Sequence, residues 1–164
     1  MQQSEFAEAL LEACKARGIH TAVDTCGFAS ARSFQRIAKQ VDLFLFDLKV
    51  IDSQRHRELT GAANHVILSN LALLAGCKSE VVVRLPVIPG YTDDEANLSA
   101  ICAVAKSSAI RRIDLLPYHR IAMDKYQRLG MEYRLGSVAP PSAEHMTRVA
   151  QYVAGHGIDV RIGG

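Results

Sequence analysis

Several common signatures are missing from this sequence, and each absence narrows the field. The four cysteines, Cys14, Cys26, Cys77 and Cys102, are scattered, with no C-x-x-C or tighter cluster. No zinc or cluster spacing is therefore written into their order. In a reducing compartment each is expected to be a small buried thiol; Cys14, Cys77 and Cys102 fall in helix-like segments and Cys26 in a loop. The formal net charge is only +2, too little for a nucleic-acid footprint. No apolar run is long enough to cross a bilayer and no signal peptide is evident. The expectation is a cytoplasmic protein without membrane or nucleic-acid partners. A Ser-His-Asp arrangement, a phosphate-cradling Gly-rich loop, low-complexity linkers and a fixed-period repeat are also lacking.

What is present is enough apolar material for a core. Of 164 residues, 49 % are hydrophobic and 22 % charged, the balance of an ordinary globular chain. A single domain over residues 1–164 is expected. Ser4 is placed to cap a first helix whose stripe is Phe6, Leu10, Leu11 and Cys14, closed by Lys15, Arg17 and Gly18. Strands are expected at residues 19–23, 41–49, 80–85 and 112–116, with a short one at 158–162. Helices are expected between them, at 29–39, 53–59, 65–77, a stretch ending near Lys106, a turn within 121–129, and 142–154 after Pro140-Pro141. Thr92 with Glu95 reads as a capping box for the helix ending at Lys106. Strands and helices alternating at this spacing argue α/β, with a parallel sheet and right-handed crossovers.

The stretch Val-Asp-Leu-Phe-Leu-Phe-Asp-Leu-Lys, ending at Asp47 and Lys49, is an apolar strand that closes on an acid and a base. Asp47 and Lys49 lie two apart and share a face with Leu43 and Leu45, while Phe44, Phe46 and Leu48 take the other. Other strands end likewise on polar residues: the first at Asp24, the third at Arg84, the fourth at His119. The carboxyl ends of parallel strands form the ligand rim of α/β proteins. Each residue alone has a plain structural role: an Asp–Lys ion pair, an arginine on a scaffold carboxylate, a core histidine. Together on one rim they point to a site. Asp24 and Asp47 suit a cation or ribose hydroxyls, Lys49 and Arg84 a carboxylate, and His119 a hydroxyl. The residues by themselves support a zwitterion- or nucleoside-binding half-site and no complete set of reacting groups.

An ordered set of motifs carries a family resemblance. Thr21-Ala22-Val23-Asp24-Thr25-Cys26-Gly27 is followed by Phe46-Asp47-Leu48-Lys49, then Val83-Arg84-Leu85-Pro86-Val87-Ile88-Pro89-Gly90, then Leu115-Leu116-Pro117-Tyr118-His119. Over nearly the whole chain this resembles the glycyl-radical-enzyme activating enzymes, which are radical S-adenosylmethionine proteins. The resemblance implies a partial parallel (βα) barrel, a truncated TIM-like barrel with about four of six βα units. It implies that Asp47 and Lys49 contact S-adenosylmethionine, as an Asp-x-Lys motif. Asp24 and Thr25, with Asp47 and the backbone of Leu45, would hold a monovalent cation. Arg84 and His119 would be further cofactor-contacting positions. The implied chemistry is one-electron cleavage of the cofactor to methionine and a 5′-deoxyadenosyl radical, which takes hydrogen from a glycine of a partner enzyme. A flavodoxin or ferredoxin would supply the electron.

The pattern departs from the family in one large respect. The Cys-x-x-x-Cys-x-x-Cys motif that holds the 4Fe-4S cluster is absent, as is the Gly-Gly-Glu motif for the ligand's amino group. The chain is therefore expected to be the C-terminal portion of a longer parent, with Met1 internal to it and no radical activity of its own. Self-association through the open edge at residues 19–23, or poor solubility, is expected. The close at Arg161-Ile162-Gly163-Gly164 leans toward activators outside the pyruvate formate-lyase type. The rival reading is a stand-alone, non-catalytic S-adenosylmethionine-binding or protein-interaction module.

Overall fold

The structure is a computed structural model and describes residues 3–163; Met1, Gln2 and Gly164 lie outside the described residues. In chain order the elements are α1 (Ser4–Lys15), β1 (Ala22–Thr25), α2 (Ala31–Ala38), β2 (Leu43–Asp47), α3 (Ser53–Thr60) and α4 (His65–Leu74). They continue with β3 (Glu80–Val87), α5 (Glu95–Ser107), β4 (Arg112–Pro117), α6 (Ala122–Arg128), α7 (Ala143–Gly155) and β5 (Asp159–Ile162). The strands form one parallel sheet in the order β1-β2-β3-β4-β5. Among the described residues β1 and β5 are its edges.

The alternation in the strands decides which side is packed. Phe44 and Phe46 of β2, Val83 and Leu85 of β3, and Ile113 and Leu115 of β4 are fully buried. Phe34 of α2 meets the rings of Phe44 and Phe46 at centroid separations of 5.7 and 6.4 Å. Leu71 and Leu74 of α4, Ile101 and Cys102 of α5, and Val149 and Val153 of α7 complete the same core. Burial of such side chains contributes about 1.5–3 kcal/mol each, so this face holds the sheet together.

Several boundaries differ from the sequence expectation for local reasons. The first strand starts at Ala22 rather than Ile19. Gly18 and Ile19 turn back to bond the carbonyls of Lys15 and Cys14, and Thr21 donates its amide to Asp42 at 2.8 Å. Asp24 and Thr25 therefore lie inside β1, not after it. The cap of α5 is Asp94, which accepts from the Asn97 amide at 3.0 Å. Thr92 is spent within the preceding loop, donating to the Pro86 carbonyl at 2.6 Å. Gln3, not Ser4, occupies the cap position of α1. Of the thiols expected to be buried, only Cys102 is; Cys77 is exposed, and Cys14 and Cys26 are half-buried. The reason for Cys77 is that α4 stops at Leu74.

Candidate functional site

Parallel pairing keeps register partners on the same face. Asp47 pairs with Arg84, Arg84 with Asp114, and Asp114 with Arg161. One row earlier Asp24 pairs with Leu45, Leu45 with Val82, and Val82 with Arg112. The face of the sheet away from the aromatic core is thus charged along its width.

Arg84 is the hub. Its Nε and Nη2 donate to Asp47 Oδ1 at 3.0 and 2.9 Å, and Nη2 also donates to Asp24 Oδ1 at 2.6 Å. The Arg84 side chain is 18 % exposed, against 59 % for Asp24. Burial disfavours the guanidinium charge, but the hydrogen bonds and charge of Asp47, then those of Asp24, outweigh it and raise the Arg84 pKa above its ordinary value. Lys49, two residues past Asp47, approaches the other Asp47 oxygen at 3.5 Å. Two carboxylates and two cations make this wall neutral. Charge-assisted contacts of this kind fix orientation as well as adding energy.

The remaining predicted positions fall around this hub. Thr25 lies in register with Phe46, on the packed face, and its hydroxyl accepts from the Gly27 amide at 3.0 Å. Gly27 has φ +70° and lies against the Phe46 ring, where a Cβ would stand 2.5 Å from Cζ; only glycine fits there. Leu45 is beside Asp24 on the charged face. His119 follows β4 at the same end of the sheet and is exposed. The structure joins Asp24, Asp47, Lys49 and Arg84 directly, and leaves His119 at the margin.

Two groups escaped the sequence reading. Arg112 donates Nε and Nη2 to the two oxygens of Asp114, both at 2.7 Å, and Asp114 is 1 % exposed. The period-two pattern of Arg-Ile-Asp-Leu-Leu could have signalled a charged face there. The second group is three buried asparagines, Asn64, Asn70 and Asn97, whose carboxamides bond backbone in the loops after β1, β2 and β3. Nothing in the sequence separates them from surface asparagines.

The donor set fits a zwitterion with hydroxyls: cations for a carboxylate, carboxylates for an ammonium or a ribose. It does not fit an iron–sulfur cluster. Among the described residues no three His, Cys, Asp or Glu side chains gather as a metal-holding group. Two clefts, of about 380 and 500 Å³, both lined by Cys77 and Ser79, open at the other end of the sheet, away from the charged hub. No helix is long and apolar enough to cross a membrane.

No protein-family model matches the chain. It is 34 % identical over 165 residues to the trans-4-hydroxy-L-proline dehydratase activating enzyme of Clostridioides difficile, covering 99 % of this chain and 55 % of that protein. It is 44 % identical over 137 residues to the choline trimethylamine-lyase activating enzyme of Oleidesulfovibrio alaskensis, covering 81 % of this chain and 44 % of that protein. Among solved structures it is similar to a domain of the pyruvate-formate lyase-activating enzyme from Bacteroides vulgatus. The TM-score there is 0.81 at 28 % identity, over 99 % of this chain and 92 % of that domain. The chain spans about half the length of the curated relatives it matches.

Proposed function

We propose that this chain, a homologue of glycyl-radical-enzyme activating enzymes with the fold of a partial radical S-adenosylmethionine barrel, supplies one wall of an S-adenosylmethionine site. The whole enzyme would install a glycyl radical on a partner glycyl radical enzyme. The observation that carries this reading is the Asp24–Arg84–Asp47–Lys49 cluster on three neighbouring strands.

In this assignment Lys49 and Arg84 take the ligand's carboxylate. Asp47 and Asp24 take its ammonium or ribose hydroxyls, or hold a monovalent cation with the backbone of Leu45; Thr25, whose hydroxyl is on the packed side, would join them through its backbone. His119 bonds a hydroxyl at the margin. Arg84 starts engaged with two carboxylates, so binding exchanges one ion pair for another on a neutral wall and no bare charge is ever desolvated. S-adenosylmethionine, when bound, supplies a sulfonium whose carbon–sulfur bond opens on one-electron reduction. This chain's residues bind and orient it. The 4Fe-4S cluster, the flavodoxin or ferredoxin that feeds it and the glycyl radical enzyme belong to the whole enzyme in the cytoplasm. No electron-transfer step is assigned to these residues, and the chain alone is expected not to cleave the cofactor. The unpaired edge of β1 is expected to drive self-association, seen as a concentration-dependent mass in light scattering.

Calorimetric titration of the purified chain with S-adenosylmethionine tests the assignment. Weak binding that Lys49→Ala or Asp47→Asn lowers by about tenfold or more, a change of about 1.4 kcal/mol, supports a wall of a larger site. Tight binding by the chain alone favours a stand-alone binding module, a reading helped by the charge balance of the hub. No response at millimolar ligand overturns both.

A further inference from the structure

Beyond Leu48, whose amide bonds the Arg84 carbonyl at 3.0 Å, the segment after β2 leaves the sheet ladder. Its backbone groups must find other partners. Asn97 of α5 supplies three bonds through one carboxamide. Oδ1 accepts from the Ile51 amide at 2.9 Å, and Nδ2 donates to the carbonyls of Lys49 and Thr92, each at 2.9 Å. Asn64 adds bonds to the carbonyls of Val50 and Ile51 at 3.0 and 2.7 Å. Asn97 is 6 % exposed, unusual for an asparagine in a helix, where the side chain ordinarily faces water. Its own amide is held by Asp94, whose other oxygen accepts from Arg55 Nη1 at 2.5 Å. Arg55 belongs to α3, which begins two residues after Ile51. The result is a closed circuit from Lys49 through α3 and Asp94 to Asn97 and back.

We infer that Asn97 is a positioning residue of the ligand wall, acting through the backbone of Lys49. It fixes the backbone of residues 49–51 just beyond β2, so that the Lys49 ammonium stands beside Asp47 before a ligand arrives. It also ties this segment to Thr92 in the loop after β3, the strand that carries Arg84. The two cations of the wall are thereby held in one frame. The inference rests on the ligand assignment proposed above.

The test compares Asn97→Ala with Val153→Ala, a core truncation in α7 remote from the hub. Two quantities are read on the full chain: amide hydrogen exchange at Ile51 relative to the β3 core, and affinity for S-adenosylmethionine. The expected result for Asn97→Ala is at least tenfold faster relative exchange at Ile51 and a loss of affinity of about tenfold. Val153→Ala, though less stable than the parent, should change neither. Should Asn97→Ala fail to fold, Asn97→Ser is read in the same way. Equal effects of the helix-core and asparagine variants on both quantities, or no effect of Asn97 replacement on Ile51, overturns the inference. If the unaltered chain does not bind the ligand, the assignment above fails, while exchange at Ile51 still decides whether Asn97 holds the segment.

Discussion

On the helix side of the sheet, Phe44, Phe46, Val83, Leu85, Ile113 and Leu115 have no exposed surface. On the other side, alternate residues of the same three strands and their neighbour include Asp24, Asp47, Arg84, Arg112 and Asp114, beside Leu45 and Val82. One face minimises contact with water and the other spends desolvation on ions that apolar residues could replace with no loss, or with a gain, in stability. A sheet that had only to fold has no need of the second face. The difference separates the residues that make the fold from those proposed to make the site, and it can be attacked from either side.

The largest effect is expected on the packed face. Phe46→Ala removes the ring beneath Gly27 and opens a cavity against Phe34, with an expected cost of about 3–5 kcal/mol, read as a fall in the urea midpoint. A cost near that of an exposed substitution would mean that the helix side is not the core. Next comes the charged face. Arg112→Leu strands the buried Asp114 carboxylate, and a destabilisation of about 1–3 kcal/mol is expected. Replacing both partners together, Arg112→Leu with Asp114→Leu, should recover most of it, whereas no recovery would place Asp114 in some other essential contact.

The smallest effect sharpens the contrast with the amino end of the sheet, where charge serves the scaffold. Asp42 accepts from Lys15 and from the amide of Thr21, which hold its carboxyl at about 2, below the usual carboxylate range. A folded-state pKa below the unfolded one, about 3.9, contributes stability that is full above the unfolded value and lost as pH falls toward the folded one. The stability gap between the unaltered chain and Asp42→Asn should be flat from neutral pH to about pH 5 and close between about pH 4 and 2. Ligand affinity should be untouched. A gap independent of pH would refute this role for Asp42.

The architecture was legible because strand and helix periods are unmixed here. Leu43–Asp47 alternates in burial as its letters alternate, and the parallel sheet follows from the helices between strands. The order of motifs pointed to activating enzymes, and the homologues bear that out. Asp47 and Lys49 could be read because both close one apolar run, although the strand expected over residues 41–49 spans only Leu43–Asp47 and leaves Lys49 beyond it. The start of β1 could not, since it depends on Asp42 reaching across to Thr21. The capping of α5 went to Asp94 because Thr92 had a stronger demand on its hydroxyl from Pro86 and Ile88. The buried asparagines were hidden because their partners are backbone atoms up to 48 residues away in sequence, and composition carries no trace of such bonds.

One measurement bears most directly on the division between the two faces. Amide chemical shifts of the isotopically labelled chain would be followed while S-adenosylmethionine is added. The expected result is a set of perturbations centred on Asp24, Asp47, Lys49 and Arg84, reaching His119, with Val149, Val153 and the amino-end residues near Asp42 unmoved. Perturbations centred on the helix side or on the amino end, with the Arg84 hub silent, would contradict the assignment of the charged face as the site.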